Sequence, residues 1–159
     1  MANALVHVNF RSEKLLLNDA MNVILPDDRT EAPWKVLYLL HGGGGNENDW
    51  LHNTRIRAYA DKHQLAVVMP HAGYSRYCNM YWGADYFDFL TEELPRIIHT
   101  QFPCISHKRE DTLIAGFSLG GSGAISLRMR CPEQYRTIGV ISASSIIPLE
   151  HLRPLCYTG

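Results

Sequence analysis

The 159-residue chain is expected to fold as a single α/β domain, a mostly parallel sheet of about six strands with flanking helices. Two patterns predict this. Short apolar runs alternate with segments of helical periodicity, and the two most apolar runs are continuous rather than alternating, as in strands buried on both faces. A composition of 46% hydrophobic and 19% charged residues can fill a sizeable core, and no repeat, low-complexity tract or linker divides residues 1–159.

The first two strands are predicted at residues 4–10 and 19–25. Only residues 11–18 separate them, so they should pair antiparallel, because a parallel pair needs a crossover helix. Residues 36–40 (Val-Leu-Tyr-Leu-Leu) and 65–69 (Leu-Ala-Val-Val-Met) are the continuous apolar runs, and residues 113–115 and 138–141 complete the series. A helix over 54–63 can start from Asn53 or Thr54 and sets Ile56, Tyr59 and Ala60 on one side. A second helix, over 85–100, spaces Tyr86, Leu90, Leu94, Ile97 and Ile98 by threes and fours, with a kink expected at Pro95. A third, over 119–130, follows the 113–115 strand directly and ends at Cys131-Pro132.

Charge and termini narrow the function. Fifteen basic residues against 16 acidic ones leave a net charge of −1, with no electrostatic footprint for nucleic acid or an anionic membrane. The first ten residues alternate like a strand and lack a signal-peptide pattern, and no apolar run approaches the roughly 20 residues that span a bilayer. A cytoplasmic protein with a small-molecule partner is expected. The four cysteines (Cys78, Cys104, Cys131 and Cys156) show no metal or redox spacing, so idle thiols and no metal are expected.

Two motifs carry chemistry. The strand at 113–115 runs into Gly116-Phe117-Ser118-Leu119-Gly120 and then a helix, which is G-x-S-x-G in the setting it requires. A serine on so sharp a strand-to-helix turn needs minimal neighbours two residues to either side, and it stands at the helix N-terminus, where developing negative charge is favoured. Ser118 is therefore the candidate nucleophile. The second motif, His41-Gly42-Gly43-Gly44-Gly45-Asn46, follows the 36–40 strand. It lacks the Gly-Lys-Ser/Thr ending of a phosphate loop, and its bare backbone suits an oxyanion hole, for which the N–H groups of Gly43 and Leu119 are the candidates. His41 is expected to brace the loop rather than act as a base. Tyr74, Tyr77, Tyr81 and Trp82, in an aromatic-rich loop between Pro70 and Asp85, are candidate walls of a substrate pocket.

With these motifs the chain resembles the esterase D and tributyrin esterase branch of the α/β-hydrolases, which includes S-formylglutathione hydrolases and feruloyl esterases. Supporting segments are Tyr38-Leu39-Leu40-His41-Gly42, Val67-Val68-Met69-Pro70, Glu92-Glu93-Leu94-Pro95, and the run from Lys108 to Ser118. The resemblance implies an α/β-hydrolase fold and cofactor-free hydrolysis of short-chain acyl esters through a serine acyl-enzyme. Acyl transfer to an alcohol, or a non-catalytic binding or assembly module, are the alternatives.

One part of the machinery is not found. A serine hydroxyl needs a histidine to take its proton and a carboxylate to orient that histidine, in the chain order Ser, acid, His in this fold. The 41 residues after Ser118 hold no aspartate and one histidine, His151, adjacent to Glu150 and flanked by Pro148 and Pro154. His52, His63, His71, His99 and His107 precede the nucleophile strand. The triad acid and base are thus expected to be missing, the domain to lack its last strands, and turnover to be impaired. The 138–141 strand should then form an apolar sheet edge open to homo-oligomer contacts.

Overall fold

The computed structural model describes residues 3–27 and 31–143 and the backbone of Cys156–Tyr157. Strands β1 (Ala4–Arg11) and β2 (Asn18–Leu25) form the expected antiparallel hairpin, in register from Ala4 against Leu25 to Arg11 against Asn18. Strands β3 (Val36–Leu40), β4 (Ala66–Pro70), β6 (Thr112–Phe117) and β7 (Thr137–Ile141) complete a six-stranded sheet of order β1-β2-β4-β3-β6-β7, in which β3, β4, β6 and β7 run parallel. Short β5 (Asn79–Met80) and β8 (Cys156–Tyr157) pair separately.

The alternation of side chains along β3 divides the core. Leu37 and Leu39 point to a cluster closed by Trp50, Leu51, Ile56 and Ala60 from α1 (Asp49–Asn53) and α2 (Ile56–His63). Tyr38 and Leu40 point to the larger cluster on the other face, with Leu94 and Ile98 of α4 (Leu94–Gln101) and Ala124 and Leu127 of α5 (Leu119–Arg130). Both faces of β3 and β4 are covered, which is why their sequences run apolar without alternation. The chain leaves β3 for β4 on one side and returns to β6 on the other. The strand order therefore reverses at β3, and the carboxyl ends of β3 and β6 flank the crevice where such sheets bind ligands.

Three local features depart from expectation. The helix predicted from residue 54 begins at Ile56, with the Thr54 hydroxyl accepting the Ile56 N–H at 3.1 Å, and a separate short helix α1 precedes it. The helix predicted over 85–100 is composite: α3 (Tyr86–Asp88), a π-helical turn (Phe89–Glu93) and α4. The wide turn lies just before Pro95, whose missing N–H would otherwise have paired with the Thr91 carbonyl. That carbonyl instead accepts the side-chain amide of Gln134 at 3.1 Å. Finally, Cys78 is disulfide-bonded, so the expectation of four idle thiols fails there, while Cys104 and Cys131 are free.

Strand β7 has no second partner strand among the described residues, and its Val140 and Ile141 are 43% and 49% exposed. An apolar edge of this kind recruits other chains. Any association of copies through this edge should be weakened by Val140→Lys, seen as a shift toward monomer in size-exclusion chromatography with little change in melting temperature. Unchanged self-association would show that contacts form elsewhere.

Candidate active site

At Ser118 the end of β6 becomes the start of α5. Its backbone is at φ +53°, ψ −116°, a conformation few non-glycine residues adopt, and its N–H is held by the Ile141 carbonyl of β7 at 2.9 Å. The flanking glycines make room for this turn. A Cβ on Gly116 would run into the Gly120 carbonyl, and one on Gly120 would strike the carbonyl oxygens of Leu40 and His41 at the end of β3. Helix α5 therefore starts in direct backbone contact with the strand that carries the glycine loop. Ser118 and Leu119 are half-buried, and Leu119 is the first helical residue, so its N–H belongs to the turn that has no intrahelical acceptor.

The loop after β3 makes a tight turn in which the Gly45 N–H donates to the Gly42 carbonyl at 3.2 Å, and Gly44 at φ +75° supplies the left-handed residue. Gly43 and Gly44 are exposed. The open side of Gly43 faces Leu119: a Cβ there would lie 3.6 Å from Leu119 Cδ2 and 3.8 Å from Leu119 Cβ. The two residues that carry the candidate oxyanion donors are thus in contact, though they stand at positions 43 and 119 of the sequence.

His41 is 1% exposed and sits beneath the loop. Its Nε2 accepts the Ala72 N–H at 3.0 Å, which leaves Nδ1 to donate to the Gly42 carbonyl at 2.7 Å. Burial holds its pKa below the ordinary histidine value, against the opposing hydrogen bond to Gly42, so the ring is neutral and structural. Its ring stacks on that of His71 with centroids 6.0 Å apart. His71 Nδ1 is 2.8 Å from Asp19 Oδ1, and this hydrogen bond, outweighing burial, holds the His71 pKa above the ordinary value.

The aromatic loop divides. Tyr74 is exposed and lies against Gly43 and Gly44. Tyr81 and Trp82 are 60% and 85% exposed and pack edge to face on one another. Tyr77 departs from the expectation of a pocket wall: it is 1% exposed and its hydroxyl donates to the His41 carbonyl at 2.6 Å. A cavity of about 360 Å³ beside the elbow is lined instead by His41, Gly42, Trp50, Phe117 and Ile141, with Asp49, Asn53 and Thr54 at its α1 side. Trp50, which no motif or spacing in the sequence marks, donates its indole N–H to the Leu40 carbonyl at 3.1 Å and fixes α1 to the end of β3.

Among the described residues no histidine hydrogen-bonds to Ser118: His7 pairs with Asn22, His41 and His71 are engaged as above, and His99 stacks on His107. Glu150 and His151 lie outside the described residues. No helix among the described residues is long and apolar enough to cross a membrane, and they contain no cluster of three or more metal-ligating side chains.

Residues 12–148 match the Esterase family. The chain is 33% identical over 154 residues to an acetyl esterase of Caldicellulosiruptor saccharolyticus, covering 91% of this chain and 57% of that protein. Its fold superposes on the fluorophosphonate-binding serine hydrolase F of Staphylococcus aureus with a TM-score of 0.84 at 34% identity, covering 89% of this chain and 57% of the other. An S-formylglutathione hydrolase of the same organism superposes with a TM-score of 0.77 at 34% identity, covering 85% of this chain and 55% of the other. The chain spans little more than half the length of each of these relatives. It belongs to the Esterase family and has the α/β-hydrolase fold.

Proposed function

We propose that this chain supplies the nucleophile and oxyanion site of a carboxylic ester hydrolase acting on short-chain acyl esters through a serine acyl-enzyme. Ser118 is the attacking residue, and the N–H groups of Gly43 and Leu119 receive the negative charge of the tetrahedral intermediate. The observation that carries this reading is the positive-φ backbone of Ser118 at the strand-to-helix junction, with Gly43 packed on the next residue. Non-glycine residues keep such a conformation where the surroundings impose it, and such strain gathers at functional sites. Relatives that are an acetyl esterase and a fluorophosphonate-binding serine hydrolase support the same chemistry.

The described residues do not bring a base to Ser118, so turnover by the chain alone should be slow. A residual rate above water from the oxyanion site alone is consistent with how such sites behave when triad members are removed. The direct test is covalent: prolonged incubation with an alkyl fluorophosphonate should add one phosphonyl group at Ser118, mapped by mass spectrometry, and Ser118→Ala should abolish it. Absence of labelling at Ser118 in the folded chain, even with imidazole added to take the hydroxyl proton, would refute the reading.

The strain makes a second prediction. Ser118→Gly removes the positive-φ penalty and should stabilise the fold by about 1 kcal/mol while abolishing the adduct. Thermal unfolding checks it, and a lower melting temperature would mean that Ser118 is not strained.

A further inference from the structure

The geometry points to Tyr77 as a positioning residue that holds the oxyanion loop in register with the nucleophile helix, an inference that rests on the assignment of Gly43, Ser118 and Leu119 above. Tyr77 is one of the largest fully buried side chains, yet it comes from a loop. Arg76 and Tyr77 both have positive φ, +55° and +60°, and two successive left-handed non-glycine residues are costly. This backbone turns the Tyr77 ring inward, where it meets both halves of the site.

On one side its hydroxyl donates to the carbonyl of His41, the residue that begins the glycine loop, and its ring centroid is 5.9 Å from that of His41. On the other side the Tyr77 side chain packs tightly against Gly123 of α5, where a Cβ would come 2.6 Å from Tyr77 Cγ. The ring thus fills the space between the base of the loop and the second turn of the helix that begins at Ser118. Neighbouring bonds fix it in place: the Tyr77 N–H donates to Ser75 Oγ at 3.1 Å, and Ala72, five residues back, donates to His41 Nε2. Burial pushes the phenol pKa far above its ordinary value, so the hydroxyl remains a donor throughout the working pH range.

The consequence is specific. The His41 carbonyl touches the α5 backbone at Gly120 and also accepts the Tyr77 hydroxyl, so this bond bears on the relative placement of Gly43 and Leu119. Without the hydroxyl, the buried carbonyl loses its partner and the loop is free to shift against the helix. Tyr77 touches neither ester nor nucleophile. It acts through the position of two N–H groups.

Tyr77→Phe keeps the ring and removes only the hydroxyl. We expect it to slow phosphonylation of Ser118 at least tenfold and to move the backbone amide resonances of Gly43 and Leu119 in ¹⁵N–¹H spectra. Tyr135→Phe is the control for a purely structural effect: Tyr135 is also buried, at 2% exposure, but packs on Tyr38 away from the loop, so it should leave both readouts unchanged. Equal phosphonylation of Tyr77→Phe and wild type would overturn the proposal, as would equal effects of the two tyrosine variants. If wild-type Ser118 takes no label even with imidazole present as the base, the nucleophile assignment fails on its own. The amide resonances then decide for Tyr77, whose role is refuted if the phenylalanine variant leaves Gly43 and Leu119 in place.

Discussion

Gly120→Ala should destabilise the chain by about 3 kcal/mol or more, lowering the melting temperature by roughly 10 °C, and should cut phosphonylation of Ser118 at least tenfold. The added Cβ would lie 2.8 Å from the Leu40 carbonyl carbon and would overlap the His41 carbonyl oxygen. Neither can retreat. Leu40 is fully buried and its strand is paired on both sides, to β4 and to β6, so the obstacle is sheet backbone rather than a flexible side chain. The first turn of α5 must therefore lift away from β3, which separates Leu119 from Gly43. Gly43→Ala provides the contrast. Its Cβ would sit in ordinary van der Waals contact with Leu119 and Tyr74, nearest approach 3.6 Å, so stability should change by less than about 0.5 kcal/mol. If Gly120→Ala melted within 2 °C of wild type, the close approach of α5 to β3 would not be what sets the elbow.

The parts of this molecule that the sequence displays are those whose causes are local. Residues 36–40 and 65–69 read as doubly buried strands because burial on two faces imposes an unbroken apolar run, and both became parallel strands of the sheet centre. The glycines at 116 and 120 are legible for the same kind of reason, since a turn this tight forbids a Cβ at both positions. What the sequence hides depends on distant partners. Pro95 announces a break in the helix but not its form, because the carbonyl it orphans is satisfied by Gln134, 43 residues away. The five residues of α1 are too few to show a period, and the helix is held by one indole bond to the end of β3. Tyr77 was indistinguishable from Tyr74, Tyr81 and Trp82 as one aromatic among several. Only the left-handed backbone at Arg76 and Tyr77, which leaves no mark in side-chain composition, sends one ring into the core and leaves the others at the surface. Glu93 was hidden by its charge: a carboxylate beside Glu92 on a helix suggests a solvated face, and it is 3% exposed.

Glu93 is therefore where the largest effect away from the candidate site is expected. Its Oε2 accepts the Ser12 hydroxyl at 2.6 Å and the Lys14 N–H at 3.1 Å, and its Oε1 accepts the Glu13 N–H at 2.8 Å. One side chain thereby fixes the turn between β1 and β2 to the π-helical turn, 80 residues later in the chain for the Glu13 contact. Ser12 Oγ in turn accepts the Leu15 N–H at 2.9 Å, so the turn is built around this carboxylate. Glu93→Ala leaves the buried Ser12 hydroxyl and the partly buried Glu13 and Lys14 N–H groups without their acceptor and should cost about 2–3 kcal/mol. Glu93→Gln tests the charge. Burial alone would raise the Glu93 pKa, but the bonds from Ser12, Glu13 and Lys14, with Arg96 nearby, outweigh it and hold the carboxyl below the ordinary value of 4.5. A carboxyl depressed in the folded state contributes stability that is fully present above the unfolded value and is lost as pH falls through the folded one. Urea unfolding should accordingly show Glu93→Gln weaker than wild type at pH 7, with the gap narrowing as the pH drops below about 4.5. A gap independent of pH would mean that the ionised form of Glu93 has no preferential hold on the turn, and that shape rather than charge ties the first hairpin to the helix.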